Sequence, residues 1–341
     1  MTKRFKFSLM LLIVLSIVIT GCSGDTGGQE TSNGEEVITL RISHVLQENH
    51  PSHLSMVEVL KPEIEENSGG RIKVEIYPNA QLGSDRQAIE SVSLGSLEMT
   101  MPGGAVLAGF YEEYMIFDLP FLYMNREEAY EAWDGELGEK LNEGLASQNM
   151  MILGYGENGL RHVTNNVRPI YTPEDLAGLK IRVMENPIHL QTFESLGANP
   201  TPIAFGELFT ALQQKTVDAQ ENPLAIINSS KFFEVQDYLS LTGHVFGNAP
   251  YLINMDFYNG LDAELQEVVR TAVKNTETRQ REMLAEQEAE DMQALIDAGM
   301  QVNELTDEQK QVFIDMVQPS YDLYIEKFGE DLLLLVDGYN N

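Results

Sequence analysis

Three short stretches carry side chains that could hold a small anion: "GLRHVTNN" with Arg161, "GLKIRVMENP" with Arg182 and "VDAQENP" with Asn222. A guanidinium presents a planar fork of donors that matches a carboxylate, and it keeps its charge at any physiological pH. In the second stretch Leu179, Ile181 and Val183 alternate with Lys180 and Arg182. A strand there puts the two basic residues on the face opposite the apolar ones. An arginine on a strand ordinarily pairs with a surface carboxylate. The shared setting distinguishes these three: each lies at or near the end of an expected strand, where open α/β sheets present ligand-facing groups.

Catalytic signatures are absent by comparison. The chain has no G-x-S-x-G, no G-x-x-x-x-G-K-[ST] and no H-E-x-x-H. His50 and His53 form "HPSH" beside a helix start, a pair that needs further matched ligands before it could hold a metal. Neither a metal nor a cofactor is expected. With 53 acidic residues, any single carboxylate pair is uninformative. The 15 methionines read as core filler and Trp133 as a packing residue. The net charge of −31 disfavours nucleic acid or an anionic membrane surface as partner, because the mean field repels both.

The elements that must position these residues follow from periodicity. "VITLRISH" alternates as a strand, and "GGRIKVEIYP" is a second strand after the Gly69-Gly70 break. A helix near Asp85–Ser93 and the short strand "LEMTM" follow. Further on come a short helix opened by Thr172-Pro173, a strand over 180–184, a helix around 188–195 and another at 205–214. From Asp262 the spacing of Leu265, Val268, Val269, Ala272 and Val273 predicts an amphipathic helix, and helical character runs to about Ala298. At 1.5 Å per residue that is roughly 50 Å, long enough to cross two domains. Strands alternating with helices give an α/β protein with a largely parallel sheet.

The N-terminus is a different matter. Lys3, Arg4 and Lys6 precede an apolar run from Phe7 to Ile19, and Thr20-Gly21-Cys22 follows, the pattern of a secretory signal. The apolar run is short for a spanning helix, which needs roughly 20 residues. "ITGC" resembles a bacterial lipobox, so Cys22, the only cysteine, is expected to carry a lipid after cleavage. "SGDTGGQETSNGEE" then reads as a polar tether holding a body off a membrane, on its extracytoplasmic face.

"YPNAQLGSDRQAIESVSLGSLEM", "FDLPFLY", "TPEDLAGLKIRV" and "LGANPTPIAFGELFTALQQKTVDAQENP" together resemble the DctP-type solute-binding subunits of tripartite ATP-independent periplasmic (TRAP) transporters. The resemblance runs from about residue 37 to about 320. It implies a two-domain periplasmic-binding-protein-like α/β fold with a central cleft, hinge strands and a long domain-spanning helix. After a signal at 1–21 and a tether at 22–36, it places domain I at 37–158 with about 248–287. Domain II takes 159–247 with about 288–341. It further implies a protein that captures an organic acid and delivers it to an ion-gradient-driven TRAP permease. By the match of motifs, Arg182 clamps the ligand carboxylate, Arg161 supports it, Asn222 bonds it and Phe205 is an aromatic wall. His44 faces the ligand from the other domain. Where some relatives place a carboxylate after "LEMTM", this chain reads Gly103-Gly104, which argues against ligands that need that acidic partner. Glu185 and Asn186, just past the clamp, suit the hydroxyls of a sugar acid better than a second carboxylate, although a C4-dicarboxylate stays open. A receptor for an ATP-driven permease or a sensor kinase is the alternative, and an extracellular hydrolase a further one.

Overall fold

The computed structural model describes residues 37–123 and 125–336, so the signal, the tether and Cys22 lie outside the described residues. Ten strands are described: β1 (Ile38–Ser43), β2 (Ile72–Tyr77), β3 (Met99–Thr100), β4 (Met150–Asn165), β5 (Lys180–Val183), β6 (Asn199–Pro202), β7 (Ala219–Pro223), β8 (Tyr238–Leu241), β9 (Phe246–Asn254) and β10 (Gln301–Glu304). Their order is β2-β1-β3-β9-β4-β7-β5-β6, with β8 paired to β4 and β10. The sheet is mixed where the sequence suggested a largely parallel one. β1, β2 and β3 are parallel at one end, and β5, β6 and β7 at the other. Between them β4 and β9 run antiparallel to their neighbours. Neither long strand alternates in polarity, because each is buried along most of its length. A strand covered on both faces has no period-2 signal to read.

β4 changes partners part-way. It pairs with β9 from Met150 to Leu160 and with β7 from Arg161 to Asn165, so one strand belongs to both halves of the sheet. Register shifts interrupt its pairing with β9 between Ile152 and Tyr155 and between Glu157 and Gly159. Gly159 has φ +122, a backbone state that disfavours any Cβ.

The long helix Ala263–Asp297 starts on an Asp262 cap, as its spacing predicts, and lies along β4. Gln280 brackets Glu157, its Nε2 donating to the Glu157 carbonyl at 2.7 Å and its Oε1 accepting the Glu157 N–H at 2.9 Å. Glu277 accepts the Tyr155 N–H at 3.1 Å. The helix thereby satisfies backbone groups on the edge of β4 that no described strand covers there. At its far end Asp291 accepts from Asn228 in helix Leu224–Ser229 at 2.7 Å, so the helix touches both halves. Apolar residues gather in separate clusters. One holds Leu40, Ile42 and Val269; another holds Ile181, Val183 and Phe313. A third joins Ile116 and Trp133 to Met184 and Ile188, across the two halves.

Candidate functional site

Between the halves lies a cleft of about 380 Å³, counting the space at its mouth. Arg161, Arg182, Asn222 and Phe205 line it, together with Asp85, Asn158, Gly103 and Met184. β5 and β7 are parallel, so Arg182 and Asn222, each next to last in its strand, reach the same end of the sheet. Lys180 is exposed while Arg182 is buried. The face opposite the apolar residues therefore meets solvent at Lys180 and opens onto the cleft at Arg182.

The two arginines differ in what holds them. Arg161 Nε and Nη2 both donate to the Glu221 carboxylate, Nη2 also to Asn222 Oδ1 at 3.2 Å, and Nη1 to Asn158 Oδ1 at 3.0 Å. Arg182 Nε donates to the Ile203 carbonyl at 2.8 Å, while its Nη1 is buried with no hydrogen-bond partner among the described residues. Burial pulls the Arg182 pKa down to about 10, with Arg161 adding to the pull and Glu221, Asp85 and Glu185 opposing it. The group stays cationic at neutral pH. A buried guanidinium with an idle N–H is a donor awaiting an acceptor.

Asp85 faces the same space. It opens helix Asp85–Ser93 behind the Ser84 cap, accepts the Gly103 N–H, and keeps a buried Oδ1 with no partner among the described residues. Burial lifts its pKa to about 7, Glu185 adding to the rise while Gly103 and Arg182 hold it back. The cleft thus does contain a carboxylate, supplied from a different segment, and the inference drawn from Gly103-Gly104 is corrected. Those glycines answer to space. A Cβ on Gly103 would sit 2.6 Å from Met184 Cε, and one on Gly104 would sit 2.0 Å from Asn248 Oδ1.

The remaining expected residues are placed less directly. Phe205 is half-buried at the head of helix Phe205–Gln213 and meets Phe232 edge-on at 6.1 Å. Glu185 is half-buried and acts on Arg182 and Asp85 through charge, without being part of the lining. Asn186 is turned away from the cleft: it caps helix Pro187–Ser195 and donates to the Ala105 carbonyl and Asp118 Oδ2, each at 3.0 Å. His44 lies behind the lining residues Val45 and Leu46, 3.0 Å from His53 Nδ1. Burial, with His53 and His50 adding, lowers its pKa to about 3. Among the described residues no group of three or more His, Cys, Asp and Glu could hold a metal.

Sequence reasoning missed Asp85 and the charges behind Arg161. Glu221, fully buried, also meets His244 Nε2 at 3.3 Å and His189 Nδ1 at 3.7 Å. Burial alone would raise its pKa, but Arg161 and the two histidines hold it well below the usual carboxylate range. The one available signal was its place beside Asn222 in "QENP".

Residues 42–327 match the family described as DctP, bacterial extracellular solute-binding protein, family 7. The chain belongs to this family. It is 33% identical over 302 residues to the 2,3-diketo-L-gulonate-binding periplasmic protein YiaO of Escherichia coli K12, covering 88% of this chain and 91% of that one. A TRAP periplasmic solute-binding protein from Polaromonas sp. JS666, solved with D-erythronate, superposes with a TM-score of 0.85 at 36% identity, over 88% of this chain and 98% of the other. The sugar acid binding protein of Advenella mimigardefordensis, solved with galactonate, gives 0.86 at 33% identity, over 90% and 99%. The DctP-family assignment makes this chain an extracytoplasmic solute-binding protein of the TRAP type.

Proposed function

We propose that this DctP-family protein captures a hydroxylated monocarboxylate, an aldonate or uronate, and hands it unchanged to TRAP membrane subunits. The observation that carries the choice is the pairing of idle groups in one cleft: among the described residues, a buried Arg182 N–H has no acceptor and a buried Asp85 oxygen has no donor. A carboxylate satisfies the first and a hydroxyl the second. Arg161 is already matched by Glu221. A C4-dicarboxylate would therefore bring its second charge beside Asp85 with no further arginine among the described lining residues to receive it, a costly burial. Sugar acids bound by relatives of similar fold support the same choice.

In this reading Arg182 clamps the carboxylate and Asn222 and Arg161 flank it. Phe205 covers the ligand, and Glu185 tunes the field from behind. His44 acts from the floor through its neighbours. The lobes are 37–158 with about 248–287 and 159–247 with about 288–341, hinged where β4 changes partners, and they close over the ligand. Cys22 carries a lipid anchor. A thermal-shift screen with D-erythronate, D-galactonate, D-glucuronate and succinate tests the ligand class: a sugar acid should give the largest shift, and mass spectrometry should return it intact. Catalytic conversion, or a larger shift with succinate, would refute the reading. Labelled-palmitate incorporation that is lost in Cys22→Ala tests the anchor.

A further inference from the structure

We propose that His189 is a buried imidazolium that fastens the segment ending at Asp118 to the Glu221–Arg161 pair, so that the arginine frame of the cleft depends on one proton. His189 lies in the first turn of helix Pro187–Ser195 and is buried. Its Nε2 is 3.1 Å from Asp118 Oδ1, and its Nδ1 is 3.7 Å from Glu221 Oε1. A neutral imidazole has one N–H and one lone pair, whichever tautomer it adopts. Here a carboxylate faces each nitrogen, so a neutral ring would turn its lone pair toward a buried carboxylate oxygen. A doubly protonated ring instead donates a hydrogen bond to Asp118 and presents a positive N–H to Glu221 at ion-pair distance.

The surroundings agree from each side. Asp118 ends the 3-10 helix Glu112–Asp118, and its other oxygen accepts from Asn186, on the same helix start as His189. Glu221 comes from β7, Arg161 from β4, and His244, bonded to Glu221, from the segment before β9. Helix Gln318–Phe328 packs on the other flank, where the Ser320 and Thr192 hydroxyls share a hydrogen bond at 2.9 Å. The phenols acting on Asp118 from its own side, Tyr114 and Tyr123, are held neutral by burial, with their pKa values well above the ordinary. For His189 itself, burial lowers the pKa, and the Asp118 and Glu221 contacts outweigh it, leaving a net rise. A group with a raised folded pKa contributes its full stability below the ordinary histidine value, and that contribution is lost as pH climbs through the folded value. Without the proton, Glu221 keeps Arg161 but repels Asp118, and the frame that sets Arg161 loosens.

The tie itself is independent of ligand identity; only the ligand arm of its test rests on the sugar-acid reading. The mature chain labelled with ¹⁵N-histidine should show both His189 nitrogens protonated at neutral pH, with a titration above the ordinary histidine range. Between about pH 6 and about pH 9 the wild-type melting temperature should fall more steeply than that of His189→Gln, which keeps an amide donor and loses the titrating charge. With D-erythronate as probe, wild-type affinity should drop over that range by about threefold or more beyond any drop in the variant, because Asp85 titrates alike in both. A singly protonated His189 at neutral pH, or parallel melting profiles, overturns the proposal. If His189→Gln fails to fold, the wild-type spectrum decides alone. A doubly protonated His189 in a protein that ignores D-erythronate would support the tie and count against the sugar-acid reading.

Discussion

Arg161 and Arg182 stand on either side of β7 with the same side chain and opposite tasks. Arg161 spends its charge on Glu221, and Arg182 keeps a buried N–H in reserve. Removing one partner of a buried pair leaves the other charge uncompensated, so Glu221→Gln should cost about 3–5 kcal/mol of stability, read in denaturant melts. A loss under about 1 kcal/mol would mean that Arg161 finds another acceptor. Asp85 gives a prediction of the opposite sign. Its raised folded pKa means that ionising it costs the folded state as pH rises from the ordinary aspartate value through about 7. Asp85→Asn should therefore melt higher than wild type at pH 8, with the gap closing as pH falls toward 4. The same variant should bind sugar acids more weakly and succinate more tightly, moving the ratio by about tenfold or more. Calorimetry with both ligands checks it, and an unchanged ratio would remove Asp85 from the specificity argument.

Among the elements, β4, which supplies Asn158 and Arg161 to the cleft, was least legible. Its sequence, "MMILGYGENGLRHVTN", mixes glycines with polar residues that burial on both faces hides from any pattern. By contrast helix Asp85–Ser93 and the Asp262-capped long helix were readable to within a residue or two, because capping residues and apolar spacing both survive in the sequence. The site was legible in part for the same reason. Arg182 stood out as a cation in an apolar run, and Asn222 as part of a strand end. Asp85 and Glu221 did not, since one acid among 53 carries no signal until the fold brings it beside an arginine. Gly159 marks the point where β4 turns from one half to the other. Its φ of +122 disfavours a side chain, and a Cβ there would lie 2.8 Å from Pro223 Cβ. Gly159→Ala should cost about 1–3 kcal/mol in thermal or denaturant melts. A neutral outcome would mean that the partner switch tolerates a different backbone.

For the molecule as a whole, a net charge of −31 opposes the approach of an anion even as Arg182 attracts it inside. Added salt screens the long-range repulsion, with a Debye length of about 8 Å at physiological strength, and leaves the buried contact nearly intact. The association rate for a sugar acid should thus rise, not fall, as salt is raised from about 10 mM to about 150 mM, which stopped-flow fluorescence of the single Trp133 can follow. A falling rate would place a positive field at the cleft mouth. The account depends above all on Arg182 holding a carboxylate in a two-pronged bond, and that bond is what a lysine cannot reproduce. Calorimetric titration of wild type and Arg182→Lys with the sugar acid that shifts melting most tests it directly. The variant should bind at least about tenfold more weakly, equivalent to about 1.4 kcal/mol, while melting close to wild type. Equal affinity in the two proteins would contradict the account, because the clamp would then lie elsewhere.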